Sequence, residues 1–347
     1  FLISFGILLN VSASSVEGLN LYGDNFYFIK RHLTAIILGA IIFNILKNLN
    51  INFIEKFSSI SMVFITTTLF LVLTYGIVVG GSRRWIDLGI VNFQPSELAK
   101  PLIILWVAKQ ISNDITEDTD LKKFVRSIFL PLLCAFLVLL EPDYGTFASI
   151  CFILFSQIFF SKIKIIYPSL TIFASILPLY FVATSSEYRL SRIETWLSRK
   201  CDLGIDLLGD CFQLNQSRIA ISSGGLFGLG PGTSRARWGS LPNSYSDFIS
   251  SIIGEEYGFF GLFLLVLAFF ILISTTFLIA IREKNEIKKL ISVGFGSWIF
   301  FQTIINLGGA VGIVPITGIV LPFVSYGSSA MISIFIALGI MYSRDYE

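Results

Sequence analysis

One histidine and three methionines in 347 residues leave little with which to build an imidazole metal centre or a Met-rich groove, so metal chemistry on imidazole is not expected. Charge is scarce as well: Asp, Glu, Lys and Arg make up 14% of the chain, and the formal net charge is only +2. A nucleic-acid partner, which needs a basic face, is set aside on that ground. No cleavable signal peptide, fixed-period repeat or low-complexity linker is visible, and Phe1 lies within an apolar run, so the natural start is expected upstream. Cysteines number four. Cys134 and Cys151 sit in apolar runs, whereas Cys201 and Cys211 bracket CDLGIDLLGDC. Whether that second pair bridges or forms two unrelated loop thiols is open at this level, because a disulfide needs an oxidising side and matching geometry.

What the chain has in abundance is apolar surface: 54% of residues are hydrophobic, 34 are Phe, and the mean hydropathy is +0.79. One water-soluble core cannot use that much, so a bilayer is the solvent. A spanning helix takes about 20 mostly apolar residues. Spans are expected near Phe1–Val11 (truncated), Leu33–Leu49, Ile60–Gly80, Leu98–Ile111, Ser127–Leu140, Thr146–Phe160, Ile165–Thr184, Phe259–Ile281, Leu290–Asn306 and Val320–Tyr342. The fold class is therefore all-α: a polytopic membrane protein of about ten transmembrane helices, one membrane domain over residues 1–347. Lys and Arg set the orientation. With a cytoplasmic N-terminus, Lys109, Lys122, Lys123, Arg126, Lys288 and Lys289 fall inside with others, against Lys30, Arg31, Arg83, Arg84 and Lys100 outside. That topology makes residues 185–247 a long extracytoplasmic loop, and such a loop in a helical bundle is more often functional than idle.

Four segments carry chemistry. GSRRWIDLGIVNFQPSELAK (81–100) joins a polar turn to a helix start, with Pro95 at a first helical position and Glu97 and Lys100 on one face. The plain reading is a helix-start salt bridge; the functional one is an ion pair at a wet cavity. Arg83, Arg84 and Trp85 read equally well as an interface anchor. The long loop opens with EYRLSRIETW and continues to QSRIAISSGGLFGLGPG, whose glycines permit positive φ and close approach to a ligand. It follows no predicted strand, so it is neither a P-loop nor a dinucleotide fingerprint. Arg189, Arg192, Arg218, Arg235 and Arg237 can meet a pyrophosphate or anchor at headgroups. In LPNSYSDFISSIIGEEYGFFG, Asp247 is either a helix N-cap or a general base at the outer surface. Glu255 and Glu256 lie about 12 Å further along a helix, too far to pair with it as in a glycosidase. NLGGAVGIVPITGIVLPFVSYGSS (306–329) implies broken or re-entrant backbone. EPDYGT (141–146) is a shorter turn, and His32 reads as a boundary residue.

RRWIDLG with FQPSELAK, EPDYGT, QSRIAISSGGLFGLGPG, LPNSYSDFISSIIGEEYG and TGIVLPFVSYG, in this order and spacing, resemble the shape, elongation, division and sporulation family over essentially the whole chain. GLGPG and IIGEEYG make its FtsW branch the nearer match and its RodA branch the alternative. The resemblance implies a glycosyltransferase that polymerises lipid II into peptidoglycan strands on the outer face of the bacterial cytoplasmic membrane. It also implies a class B penicillin-binding protein as partner, with other divisome or elongasome membrane proteins. The family's essential acid falls on Asp247, its Glu and Lys on Glu97 and Lys100, its tryptophan on Trp85 and its R-x-x-R on Arg189 and Arg192. The chain departs from the family pattern at Asn243, Tyr245 and Ser246, where Glu, His and Thr are usual, and at Ser328 in place of a second glycine.

The expected chemistry has Asp247 as the catalytic base, with Glu97, Lys100, Trp85, Arg189, Arg192 and Arg218 binding the lipid-linked substrates in an outward groove. No dedicated metal site is visible; a divalent cation, Mg or Mn, would offset pyrophosphate charge. Two rivals from other classes are a lipid II flippase, which broken helices and buried charge also suit, and a noncatalytic division scaffold.

Overall fold

The computed structural model describes residues 1–79, 82–87, 92–114, 121–161, 163–184, 194, 196–198, 200–202, 204, 209 and 211–345. In chain order they form α1 Leu2–Tyr22, α2 Tyr27–Asn48, α3 Ile51–Lys56, α4 Ser58–Tyr75, α5 Pro95–Asp114, α6 Leu121–Leu140, α7 Tyr144–Phe159, α8 Ile166–Thr184, α9 Phe212–Ser223, α10 Ile249–Arg282, α11 Glu286–Val311 and α12 Ser328–Met341. Six of these, α1, α2, α4, α6, α10 and α11, are long and apolar enough to cross a membrane. Shorter apolar helices lie at 144–159, 166–178 and 328–341. With α5, whose 20 residues reach about 30 Å, they make the ten expected spans, and the chain is a multi-pass membrane protein.

Several boundaries differ from the hydropathy reading. The first helix continues past Val11 to Tyr22, because its polar residues find partners: Ser14 Oγ donates to the Asn10 carbonyl at 2.6 Å and Ser12 Oγ to Glu256 at 2.6 Å. The third expected span stops at Tyr75, where Gly76 turns extended and β-branched Ile77–Val79 (β1) pairs with Ser82–Asp87 (β2), itself paired with Asn92–Phe93 (β3) in an antiparallel meander. The last span begins at Ser328 rather than Val320, since residues 312–327 follow a non-helical path. The long loop, for its part, contains α9 and a 3-10 turn at Ala236–Trp238.

The chain forms two compact units. In the second, comprising residues 35–180, 273–301 and 328–347, α5 packs against α4, α6, α7 and α12. That explains why a helix carrying Glu97, Lys100 and Lys109 is nonetheless buried along most of its length. Gln157 on α7 ties the bundle by donating to the carbonyls of Ile104 and Leu290, each at 3.0 Å.

The first unit, residues 1–34, 181–272 and 302–327, is organised around a broken helix. Gly258 interrupts α10 with φ 64° and ψ −159°. The break frees donors and acceptors that hydrocarbon cannot satisfy. The glycine-rich segment supplies their partners: Leu229 and Gly230 donate to the carbonyls of Glu255 and Glu256, while Phe259 and Phe260 donate to the carbonyls of Gly225 and Leu226, all at 2.9–3.1 Å. The close approach foreseen for these glycines is thus to the chain's own backbone. A Cβ on Gly228 would stand 2.2 Å from the Glu256 oxygen, and one on Gly258 2.4 Å from the Gly228 nitrogen.

Gly258→Ala and Gly228→Ala therefore combine positive-φ strain with a backbone clash, and each should destabilise the detergent-solubilised protein by roughly 2 kcal/mol or more. Gly225→Ala, at φ 56° but with no neighbour within 4 Å, should cost distinctly less. Thermal unfolding of the three variants checks the ranking.

Candidate functional site

Asp247 belongs to the first unit, in the turn that enters α10. Asn243 adopts φ 56°, a region Asn tolerates, and its carbonyl gathers the N–H groups of Ser246, Asp247 and Phe248 at 3.1–3.3 Å. This fixes the turn from behind. From the other side, Asn306 Nδ2 donates both to the Asp247 carbonyl at 2.9 Å and to the Ile319 carbonyl at 2.7 Å. Ser325 Oγ donates to the Ser246 carbonyl at 2.6 Å, and the Tyr326 N–H to the Tyr245 carbonyl at 3.1 Å. The broken segment 312–327 is thus laced to the Asp247 turn, and Asn10 Nδ2, donating to the Val324 carbonyl at 2.7 Å, secures it to α1.

The Asp247 carboxylate is half-buried, with Oδ2 3.5 Å from where a Cβ on Gly318 would stand. Gly318, at φ 74°, places no side chain against it. Tyr245, which replaces the usual histidine of the motif, packs on Phe28 at 4.7 Å and Tyr326 at 5.8 Å between ring centroids. Burial, and then the charge of Glu17, hold its phenol well above the ordinary range, so it stays neutral.

Other acids of the same unit serve the scaffold. Glu255 is buried and accepts from Ser234 Oγ at 2.5 Å and from the N–H groups of Arg235 and Ala236 at 3.0 and 3.2 Å, pinning the loop to α10. Arg218 donates through Nε to the Val311 carbonyl at 3.0 Å and through its terminal nitrogen to Asp202 at 2.7 Å, so it caps α11 and closes on the loop. Cys201 and Cys211 form a disulfide with Cα atoms 5.3 Å apart, which settles the question the spacing left open. Arg189 and Arg192 lie outside the described residues.

Trp85, Glu97 and Lys100 belong to the second unit. Trp85 is half-buried in β2 opposite Ile77. Glu97 and Lys100 are brought together, Oε1 to Nζ at 2.7 Å, and the ammonium lies 4.9 Å from the ring centre of Trp298. Lys100 is wholly buried, so it does not line an open groove as the sequence pattern suggested; its charge is held by a carboxylate and an indole face. Trp298 was not foreseen, because its partner lies nearly two hundred positions earlier and one tryptophan in an apolar helix gives no signal.

At the same end of this unit, Arg84 Nε donates to the Glu141 carbonyl at 3.1 Å and a terminal nitrogen to the Pro142 carbonyl. Asp143 caps α7 through the Thr146 N–H at 3.1 Å and accepts weakly from Gln94 at 3.4 Å. Glu141 is buried, and among the described residues neither carboxyl oxygen has a hydrogen-bond partner. Burial, reinforced by Asp143 and opposed by Arg84, pushes its pKa up to about 9. Arg84 and the EPDYGT turn thus belong to one cluster, a link the sequence pattern did not show. Among the described residues no group of three or more His, Cys, Asp and Glu is placed to hold a metal ion.

The broken, internally mended backbone and the buried charges define a polytopic membrane protein built around polar sites. The chain belongs to the FtsW, RodA and SpoVE family of cell cycle proteins, whose model matches residues 1–347. It is similar to the probable peptidoglycan glycosyltransferase FtsW of Wigglesworthia glossinidia brevipalpis, 32% identical with 99% of this chain and 90% of that protein covered. The protein of that same name from Buchnera aphidicola subsp. Schizaphis graminum is 34% identical over 97% of this chain and 96% of its own. A chain of a solved peptidoglycan synthase complex superposes with a TM-score of 0.76 at 25% identity, covering 99% of this chain and 95% of that one.

Two outcomes follow. Lys100→Met strands the buried Glu97 carboxylate and should cost about 3–5 kcal/mol, part of which Glu97→Gln combined with Lys100→Met should recover; thermal unfolding in detergent measures both. Glu141 binds its proton more tightly folded than unfolded, so its contribution is full at low pH and is lost as pH rises toward about 9. The unfolding midpoint should fall across that range in the native chain relative to Glu141→Gln, and parallel curves would remove Glu141 from this account.

Proposed function

We propose that the chain is a peptidoglycan glycosyltransferase that polymerises lipid II, the undecaprenyl-pyrophosphate-linked disaccharide pentapeptide, in bacterial cell-wall synthesis and division. The observation that carries this reading is the Asp247 turn, whose backbone is clamped from two sides and which presents a half-buried carboxylate beside Gly318, in a chain its family matches over residues 1–347. Asp247 takes the proton from the acceptor sugar hydroxyl, that oxygen bonds to the donor's anomeric carbon, and the bond to undecaprenyl pyrophosphate breaks with its electrons leaving on the diphosphate. One displacement inverts the anomeric centre.

Arg189 and Arg192 meet the pyrophosphate in this reading, on the strength of their R-x-x-R pattern, and Trp85 and Arg218 are further substrate-binding candidates carried by the family pattern. Glu97 and Lys100 are kept in this reading as a buried ion pair that supports the substrate-binding end of their own unit. A divalent cation, Mg or Mn, would come in with the diphosphate, not from a protein cage. The active face is extracytoplasmic: the Cys201–Cys211 disulfide suits an oxidising side, and the basic residues of the opposite helix ends suit the cytoplasm. A class B penicillin-binding protein as partner is supported by the likeness to a synthase complex described as coordinating polymerization and crosslinking.

The full chain, purified in detergent and given fluorescent lipid II with a candidate transpeptidase partner, should make glycan strands. Asp247→Asn keeps the size of the side chain while removing the base, and should lower the rate by about a hundredfold or more with unfolding unchanged. Strand synthesis at the native rate by that variant would defeat the assignment. A flippase or a scaffold would make no strands in either form.

A further inference from the structure

A cavity of about 640 Å³ opens between the last turns of α5 and the first turns of α6. At 1.5 Å per helical residue its α5 wall stands roughly 14 to 20 Å along the helix from Glu97, away from the polar cluster of the second unit. Trp106 and Gln110 form one wall; Lys123, Arg126, Phe129 and Leu130 form the other. The two walls are fastened together, because Trp106 Nε1 donates to the Ser127 carbonyl at 2.9 Å. Lys123 and Arg126 are exposed, three positions apart on one face, and among the described residues neither forms an ion pair. Phe129, in the cavity wall, also belongs to an apolar stripe with Val125, Phe136 and Leu140, all exposed and sharing a side of the same helix about a fifth of a turn from Arg126.

We propose that this cavity seats the phosphate headgroup of an anionic phospholipid, with Lys123 and Arg126 on the phosphate and an acyl chain lying along the stripe. Two independent features choose this occupant. The two cations, which pair with no described residue, call for an anion, and a basic pocket between spanning helices is the usual shape of an anionic-headgroup site. The stripe then selects a lipid over a free phosphate, because only a lipid has a chain to cover it. A competitor exists within the chain, since the preceding segment carries Glu117, Asp118 and Asp120 in its sequence. If those acids satisfy the cations, no lipid binds. The proposal is independent of the polymerase reading.

Native mass spectrometry of the full chain in detergent, titrated with phosphatidylglycerol or phosphatidylcholine, tests it. Phosphatidylglycerol should be retained preferentially. Lys123→Ala with Arg126→Ala should weaken its binding about thirtyfold, roughly a factor of five for each cation, and leave phosphatidylcholine unchanged. Lys123→Arg with Arg126→Lys should keep the preference. Should the alanine pair not be recovered folded, Lys123→Gln with Arg126→Gln replaces it. Equal binding of the two lipids, undiminished phosphatidylglycerol binding by the neutralised pair, or equally effective competition by glycerol 3-phosphate would each overturn the assignment.

Discussion

A bilayer offers no hydrogen bonds, and that constraint governs the placement of every irregular stretch in this molecule. Wherever a helix stops short, another part of the chain supplies what the helix no longer can. The break at Gly258 is mended by main-chain groups of residues 225–230, and the non-helical path of 312–327 by Asn306, Ser325, Asn10 and the backbone of the Asp247 turn. The candidate base thus stands at the second of these repairs. Its position depends on the mending of the irregular backbone as much as on its own neighbours.

Buried charge follows a similar logic in the second unit. Lys100 lies against the Glu97 carboxylate and the face of Trp298, and Arg84 directs its donors to the turn that carries Glu141 and Asp143. Each arrangement trades hydration for fixed partners. Such ions add little net stability over an apolar replacement, while the loss of one partner is expensive. Their value lies in holding polar groups at defined places inside an apolar bundle.

The helical, membrane-spanning architecture was legible because twenty-residue apolar runs have few other meanings. Helix ends were less so. Ile77–Val79 continues the apolar run of α4 yet leaves it for a strand, and Val320 is as apolar as any helix residue yet lies in a turn-rich path. Polar residues misled in the other direction: Ser12 and Ser14 read as a helix end, but their hydroxyls are satisfied within the unit. The pairing of Glu97 with Lys100 was visible in their spacing, since helical neighbours three apart must meet. Trp298, Asn306 as a clamp, and the link from Arg84 to Glu141 depend on contacts between distant stretches, which no local pattern encodes. Glu255 and Glu256 were weighed only by their distance from Asp247, and their actual partners lie in the loop and in α1.

The repair of α10 uses amides and carbonyls alone, and this separates what the loop must be from what it is free to become. Positions 226, 227 and 229 contribute main-chain atoms to the seam or to its flank, while their side chains are largely exposed, Phe227 at 77% with one ring face on Phe260. The seam is therefore indifferent to the lettering of these residues and strict about the glycines between them. A chain built this way can redecorate its outer surface toward new neighbours while the spine beneath it stays the same.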